Sequence, residues 1–115
     1  MPATIDNLDV APPVRGALRE ARDSLREMYG ARLQRLVVFG SQARGEATGD
    51  SDVDLLVVLT GPVNAYEEAR RTSGLVMDIA IDRGVALSLV HLSTDEFADT
   101  GRSFVENVQA DGVEL

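Results

Sequence analysis

The residues of this chain with the clearest chemical potential are a glycine–serine pair and two aspartates. Gly40 and Ser41 end a short apolar run, and Asp52 and Asp54 begin a second one after ten intervening residues. A tight turn leaving a strand presents backbone N–H groups to phosphate oxygens. Two carboxylates spaced i, i+2 on a strand point to the same side, where they can share divalent cations. The pattern indicates a site that binds a nucleoside triphosphate and transfers a nucleotidyl group.

Such a transfer needs an attacking hydroxyl, a phosphorus in line with it, and neutralisation of the polyphosphate charge. Two divalent ions about 4 Å apart can activate the nucleophile and stabilise the leaving group. Mg²⁺, or Mn²⁺ in its place, accepts one or two carboxylates together with phosphate oxygens and water. We therefore predict Asp52 and Asp54 as metal ligands and catalytic residues. Ser41, at a helix N-terminus beside Gly40, is predicted to contact the nucleotide, and Arg44 either reaches the triphosphate or pairs with the acidic loop.

Each of these residues also has a plainer explanation. Asp52 and Asp54 could be polar residues at the beginning of a strand, although a carboxylate inside an apolar strand is costly unless it is paired or metal-bound. Gly40 and Ser41 alone would describe many strands that end before a helix cap. The spacing between the two pairs is what makes the functional interpretation the better one.

Composition narrows the class of protein. The 115 residues, 44% hydrophobic and 26% charged, suit one globular α/β domain. The chain has no cysteine, so it can form neither a disulfide nor a thiolate metal site. Its net charge of −8 argues against direct binding of nucleic acid and suits metal ions or a basic protein partner. Because the sequence shows no signal peptide and no apolar run long enough for a membrane, we expect a cytoplasmic protein.

Apolar spacing and turn residues predict the order of elements. We expect a flexible N-terminal arm over residues 1–12 and a single domain over 13–115. Within it the order is helix, strand, short helix, strand, long helix, strand and two helices, with the last three residues as an edge strand. His91 is expected on the surface at a strand end. Five side chains of the long helix are expected to face the core: Ala65, Ala69, Val76, Ile79 and Ala80.

The segment GSQARGEATGDSDVDLLV resembles the signature of the DNA polymerase β-like nucleotidyltransferase superfamily. That signature is Gly-Ser, ten residues, then Asp-x-Asp. The small size is similar to that of the minimal nucleotidyltransferases (MNT) of prokaryotes, some of which are antitoxins that transfer AMP from ATP to a tyrosine of a helical toxin of the HEPN type. The resemblance implies a nucleotidyltransferase fold with a small mixed sheet flanked by helices. It also implies ATP as substrate, Mg²⁺ as cofactor and a HEPN-type protein partner; oligomerisation stays open.

One departure from the family pattern concerns a third carboxylate, which active members carry on a later strand. The corresponding strand here holds Ser88 and no acidic residue. Asp78 and Asp82 share one face of the long helix and are expected in solvent rather than at the site. Three hypotheses therefore stand: an enzyme that transfers AMP to a partner protein, a catalytically impaired module that neutralises a toxin by binding it, and, ranked last, a subunit of a split nucleotidyltransferase that acts on a small molecule.

Overall fold

A four-stranded sheet with helices on both faces forms the protein, and the computed structural model describes residues 5–48 and 51–115. Within these ranges, no helix is both long and apolar enough to cross a membrane. In chain order the elements are α1 (Pro12–Tyr29), β1 (Leu33–Phe39), α2 (Ser41–Arg44), β2 (Val53–Leu59), α3 (Ala65–Arg83), β3 (Leu87–Ser93), α4 (Thr94–Phe97), α5 (Ser103–Asp111) and β4 (Val113–Glu114).

The sheet is mixed, with the strand order β3-β2-β1-β4. β1 pairs antiparallel with both β2 and β4, whereas β2 and β3 are parallel and joined by α3. A parallel pair needs such a crossover because a tight turn can join only antiparallel strands. The architecture confirms the predicted fold class, a small mixed sheet flanked by helices.

Alternation along β2 divides the core into two layers. Leu55 and Val57 pack into the cluster that contains residues of α1 and α3, and Leu56 and Val58 pack into the cluster that contains residues of α5. Successive side chains of a strand point to opposite faces. Asp54 therefore projects from the same face as Leu56, on the side of the sheet that α5 covers and α3 does not.

The residues at which α3 begins and ends and at which α4 begins are those that the sequence indicates. Gly84 follows α3 in the left-handed conformation, with φ 67°. Asn64 begins the same helix, and its side-chain oxygen accepts a hydrogen bond from the Glu67 amide at 3.1 Å. Ser93 and Glu96 form a reciprocal capping box at the start of α4. These local hydrogen bonds explain why the element boundaries follow the sequence so closely.

Of the segment predicted as a flexible arm, the structure describes residues 5–12, and two of its apolar side chains are buried. Ile5 lies in a short 3₁₀ helix and is 1% exposed, and Leu8 is also buried in the core. Arg15 of α1 fastens the segment by donating hydrogen bonds to the carbonyl oxygens of Leu8 at 3.0 Å and Val10 at 3.3 Å. Two isolated apolar side chains do not produce a recognisable period, which is why the sequence suggested an arm. Residues 1–4 lie outside the described residues.

The long helix α3 presents a different face to the core from the predicted one. Ile79 is buried as expected, but Ala65, Ala69 and Ala80 are exposed. Glu68 and Thr72 are buried in their place. The prediction followed apolarity, whereas the helix buries a polar pair because tertiary partners satisfy it.

Glu68 is the centre of that buried polar network. Its Oε1 accepts hydrogen bonds from the Tyr29 hydroxyl at 2.7 Å and from Arg71 Nε at 3.0 Å. Burial alone would raise the pKa of Glu68, but these two hydrogen bonds, with the charge of Arg71, lower it overall. The carboxylate is thus charged and paired inside the protein, and it joins the ends of α1 and α3.

His91 belongs to the same network and is not the surface residue that the sequence predicts. It is 5% exposed, and its Nε2 lies 3.3 Å from the Thr72 hydroxyl. Its place in β3 puts it on the face that α3 covers, where burial lowers the pKa of the imidazole and the charge of Glu68 only partly opposes this. Folding therefore favours the neutral form of the His91 imidazole.

We expect this histidine to make the protein less stable in mild acid. The pKa of His91 is lower in the folded chain than the usual value of about 6.5 in the unfolded chain. As the pH falls through the pKa of the unfolded state, the unfolded chain therefore binds more protons than the folded one. The free energy of unfolding is highest above this pH and decreases below it. Melting temperatures of the wild type and His91→Gln, measured from pH 8 to pH 5, test this. The wild type should lose more stability than the variant, and equally steep losses would contradict the assignment.

Candidate active site

The glycine–serine turn and Asp54 of the acidic pair meet where β1 ends and β2 begins. Gly40 follows β1 directly and Ser41 opens α2, while Asp54 is the second residue of β2. Phe39 and Asp54 are paired residues of the antiparallel ladder. This pairing brings Asp54 next to Gly40 and Ser41, although a loop of more than ten residues separates them in the sequence.

Gly40 and Asp54 are in such close contact that only glycine fits. The φ of Gly40 is 74°, in the region that L side chains rarely adopt. A Cβ atom at this position would collide with Oδ2 of Asp54. The carboxylate thus lies directly against the backbone of the turn.

The environment of the two carboxylates favours a cation between them. Asp54 is half-buried and Asp52, just before β2, is exposed. Burial raises the pKa of Asp54, the negative charge of Asp52 raises it further, and Arg44 acts in the opposite direction. Two ionised carboxylates in this environment repel each other, and a divalent cation bound beside them would remove that repulsion.

Arg44 stands at the mouth of this site. Its Nε donates a hydrogen bond to Glu46 Oε1 at 2.8 Å, and both side chains are exposed. This hydrogen bond, followed by the charges of Glu46, Asp111 and Asp54, raises the pKa of Arg44. Of the two alternatives that the sequence left open, the structure shows the pairing with the acidic loop. Because exposed ion pairs are weak, Arg44 can exchange Glu46 for a phosphate.

Asp111, the last residue of α5, adds a negative charge near Arg44 that sequence reasoning did not anticipate. It lies near enough to Arg44 to raise the pKa of the guanidinium. It is 57 positions beyond Asp54 in a stretch with no motif, so nothing in the sequence relates the two. Only the packing of α5 against the sheet brings this charge to the loop.

Ser88, which the sequence suggested as the nearest polar residue to a missing third carboxylate, lies beside Asp54 on the neighbouring strand. It is the partner of Asp54 in the parallel ladder of β2 and β3, so both side chains project from the same face. Asp78 and Asp82 are exposed on α3, which covers the other face of the sheet. Among the described residues, no three His, Cys, Asp or Glu side chains are grouped to hold a metal ion. Asp52 and Asp54 by themselves could supply only part of the coordination of a divalent cation, and phosphate oxygens and water would have to supply the rest.

A cavity of about 840 Å³ opens on the other side of α2. Gln42, Gly45 and Ser51 form one wall, and the segments 9–14 and 83–86 contribute to the rest. Asp52 and Asp54 are not among the described residues that line it. The loop between β1 and β2 thus has two sides, with the carboxylate Asp54 against Gly40 on one and this cavity on the other.

Comparisons with known proteins agree with the motif. A family model described as a nucleotidyltransferase domain matches residues 18–106, more than half of the chain. A Methanocaldococcus jannaschii protein, assigned by inference as a protein adenylyltransferase, is 40% identical over 42 residues. These residues are 36% of this chain and 42% of that protein, so the aligned segment spans less than half of the relative's length.

Solved structures share the fold at low identity. A chain of a toxin–antitoxin crystallised with AMP-PNP superposes with a TM-score of 0.58 and 20% identity, covering 84% of this chain and 69% of that one. A chain of the complex between the tri-AMPylated HEPN toxin and the MNT antitoxin of Shewanella oneidensis gives 0.50 and 17%, covering 85% and 70%. The sequence signature, the contact between Gly40 and Asp54 and the match over residues 18–106 lead to one conclusion. The chain belongs to the nucleotidyltransferase-domain family.

Proposed function

We propose that the protein binds ATP with Mg²⁺ and transfers AMP to a hydroxyl of a partner protein. The observation that carries the proposal is the contact of the Asp54 carboxylate with the backbone of Gly40. In a chain of this family, this contact supports a role for Asp54 as a metal ligand beside the turn that would hold the phosphates. The donor set, two carboxylates without nitrogen or sulfur, is the kind that Mg²⁺ prefers.

Each residue of the site has a defined role in this proposal. Backbone N–H groups at Gly40 and Ser41, with the serine hydroxyl, hold the phosphate chain. Asp52 and Asp54 bind the metal, which supplies positive charge to the phosphates and to the leaving group. Arg44 leaves Glu46 and adds its charge to the triphosphate.

The transfer itself is a displacement at phosphorus. The acceptor oxygen forms a bond to the α-phosphorus, and the bond from this phosphorus to the oxygen that bridges to the β-phosphate breaks. Pyrophosphate leaves with the electron pair, and the hydroxyl proton passes to water. No described carboxylate stands beside Asp54 on β3 to accept that proton, since Ser88 occupies the position. We therefore expect transfer to be slow.

The relatives support a protein as acceptor. One is assigned as a protein adenylyltransferase, and fold neighbours come from toxin–antitoxin complexes, one with AMP-PNP and one with an AMPylated HEPN toxin. A helical HEPN-type protein is thus the proposed partner, and the cytoplasm is the proposed place of the reaction. The charge of −8 also favours a basic partner over nucleic acid.

A second candidate function is neutralisation of the toxin by binding alone. Ser88 beside Asp54 favours it, because a serine is a neutral and weak metal ligand. In that case the fold and the affinity for nucleotide persist, while transfer is absent.

The two functions are separated by incubating the protein with α-labelled ATP, Mg²⁺ and the product of its neighbouring gene as the candidate partner. We expect label on the partner, and Asp54→Asn should reduce transfer at least about a hundredfold because charge stabilisation at the phosphates is lost. Asp78→Asn, a matched change on the exposed face of α3, should leave transfer unchanged. Tight association of the wild type without transfer would contradict the enzyme and support the binding module.

A further inference from the structure

Helix α3 exposes a row of apolar and small side chains to solvent. Tyr66, Met77 and Ile81 are 71%, 60% and 72% exposed. In the described part of the chain they are three of the four exposed large hydrophobic residues, the other being Met28. Contiguous exposed apolar surface on a soluble protein marks an interaction site more often than isolated apolar residues do.

These residues form one stripe along the helix, which we call the α3 stripe. Its members are Tyr66, Arg70, Ser73, Met77 and Ile81, with Ala69, Gly74 and Ala80 beside them. Spacings of four, three, four and four residues keep a stripe on one side of a helix. Glu68, Thr72 and Ile79 of the opposite side are buried in this protein. One side of α3 thus packs on the core of the protein, and the α3 stripe on the other side is available to a second molecule.

The α3 stripe is complementary to itself when two copies are antiparallel. In the register that centres between Ser73 and Gly74, these two small residues face each other. The same register sets Tyr66 opposite Ile81 and Arg70 opposite Met77. Small residues at the centre let two helices approach closely, and the larger side chains pack on either side of the crossing. An isologous interface requires this kind of self-complementary pattern.

Charges along α3 select the same orientation. Arg70 and Arg71 precede the centre of the stripe and Asp78 follows it, all three exposed. Antiparallel pairing sets the arginines of one copy beside Asp78 of the other, whereas parallel pairing sets like charges together. Glu67 and Asp82, both acidic, meet at the two ends of the pair, where solvent and salt screen their repulsion.

We propose that the protein forms an antiparallel homodimer through the α3 stripe. Asp54 and Ser88 project from the face of the sheet that α3 does not cover, so the dimer leaves the candidate active site open. The association is independent of nucleotide, and it goes beyond the proposed function without depending on it.

Cysteine cross-linking tests both the pairing and its direction, because the natural chain has no cysteine. In the proposed register two Ser73→Cys residues are offset by only about 1.5 Å along the axis, and two Tyr66→Cys residues by about 22 Å. We expect Ser73→Cys to form a disulfide-linked dimer under mild oxidation and Tyr66→Cys not to do so. A mixture of Tyr66→Cys and Ile81→Cys chains should cross-link. Self-linking of Tyr66→Cys, or the absence of cross-links in all three samples, would overturn the proposal.

Sedimentation of the full chain over a range of concentrations provides a second test. The wild type should approach twice its mass of 12.4 kDa as concentration rises. Met77→Asp should raise the dissociation constant at least about tenfold. Met28→Asp, at the exposed hydrophobic residue outside the stripe, should not change it. Arg70→Asp and Asp78→Arg should each weaken the dimer and restore it when combined. A monomeric wild type, or equal effects of Met77→Asp and Met28→Asp, would refute the interface.

Discussion

Replacing Ser88 with aspartate is expected to raise the rate of AMP transfer on the order of a hundredfold, the contribution of a positioned general base. The register of β2 and β3 sets residue 88 beside Asp54 on the same face of the sheet. A carboxylate there would add a metal ligand and a group that can accept the proton of the attacking hydroxyl. Transfer of label from ATP to the partner protein measures the rate.

Ser88→Asn is the matched control, because it has the size of aspartate and lacks the charge. Without Mg²⁺, Ser88→Asp should lower the melting temperature, since a third carboxylate would repel Asp52 and Asp54. Mg²⁺ should restore the melting temperature of the aspartate variant more than that of the asparagine variant. If Mg²⁺ stabilises the two variants equally, Ser88 is not at the metal site.

A second large effect is expected from Gly40→Ala, which should abolish binding of Mg²⁺–ATP. The added Cβ atom would collide with Oδ2 of Asp54 and displace the carboxylate from the turn. The positive φ of residue 40 adds backbone strain of about 1–3 kcal/mol. Titration calorimetry with a non-hydrolysable ATP analogue and Mg²⁺ measures the binding, and denaturant unfolding measures the stability.

Gly61→Ala separates the collision from the strain. Gly61 has a similar φ of 78°, but apart from Gly61 and its two neighbours in the chain, no described residue has an atom within 4 Å of the place where its Cβ would be. We expect this variant to lose stability to backbone strain and to bind nucleotide normally. Equal loss of binding in both variants would show that strain, rather than the contact with Asp54, accounts for the effect.

Much of the local structure was predictable because it depends on residues close in the chain. Gly45 ends α2 in the left-handed conformation, Asn64 caps α3, and Ser93 with Glu96 begins α4, each through hydrogen bonds within a few residues. Val113–Glu114 forms the edge strand that the last residues suggested. The residues that form each of these hydrogen bonds lie within a few positions of one another, so the sequence alone indicates them.

The errors concern residues whose partners are distant in the chain. His91 is paired with Thr72, and Glu68 is satisfied by Tyr29, 39 positions away. Apolar spacing alone placed the alanines of α3 inward, whereas those hydrogen bonds decide which side of the helix is buried. Ile5 and Leu8 are buried in the core, and nothing in their own segment indicates this, because the residues that surround them come from other parts of the chain.

The family and the residues of its signature could be read from the chain, since Gly40, Ser41, Asp52 and Asp54 have a spacing that few other sites share. Whether these groups touch, and what stands beside them, was decided by the pairing of β1 with β2 and of β2 with β3. Strand register sets Ser88 next to Asp54, and the packing of α5 brings Asp111 near Arg44. These neighbours result from long-range contacts. A sequence pattern does not reveal the distance between residues that come together only when the chain folds.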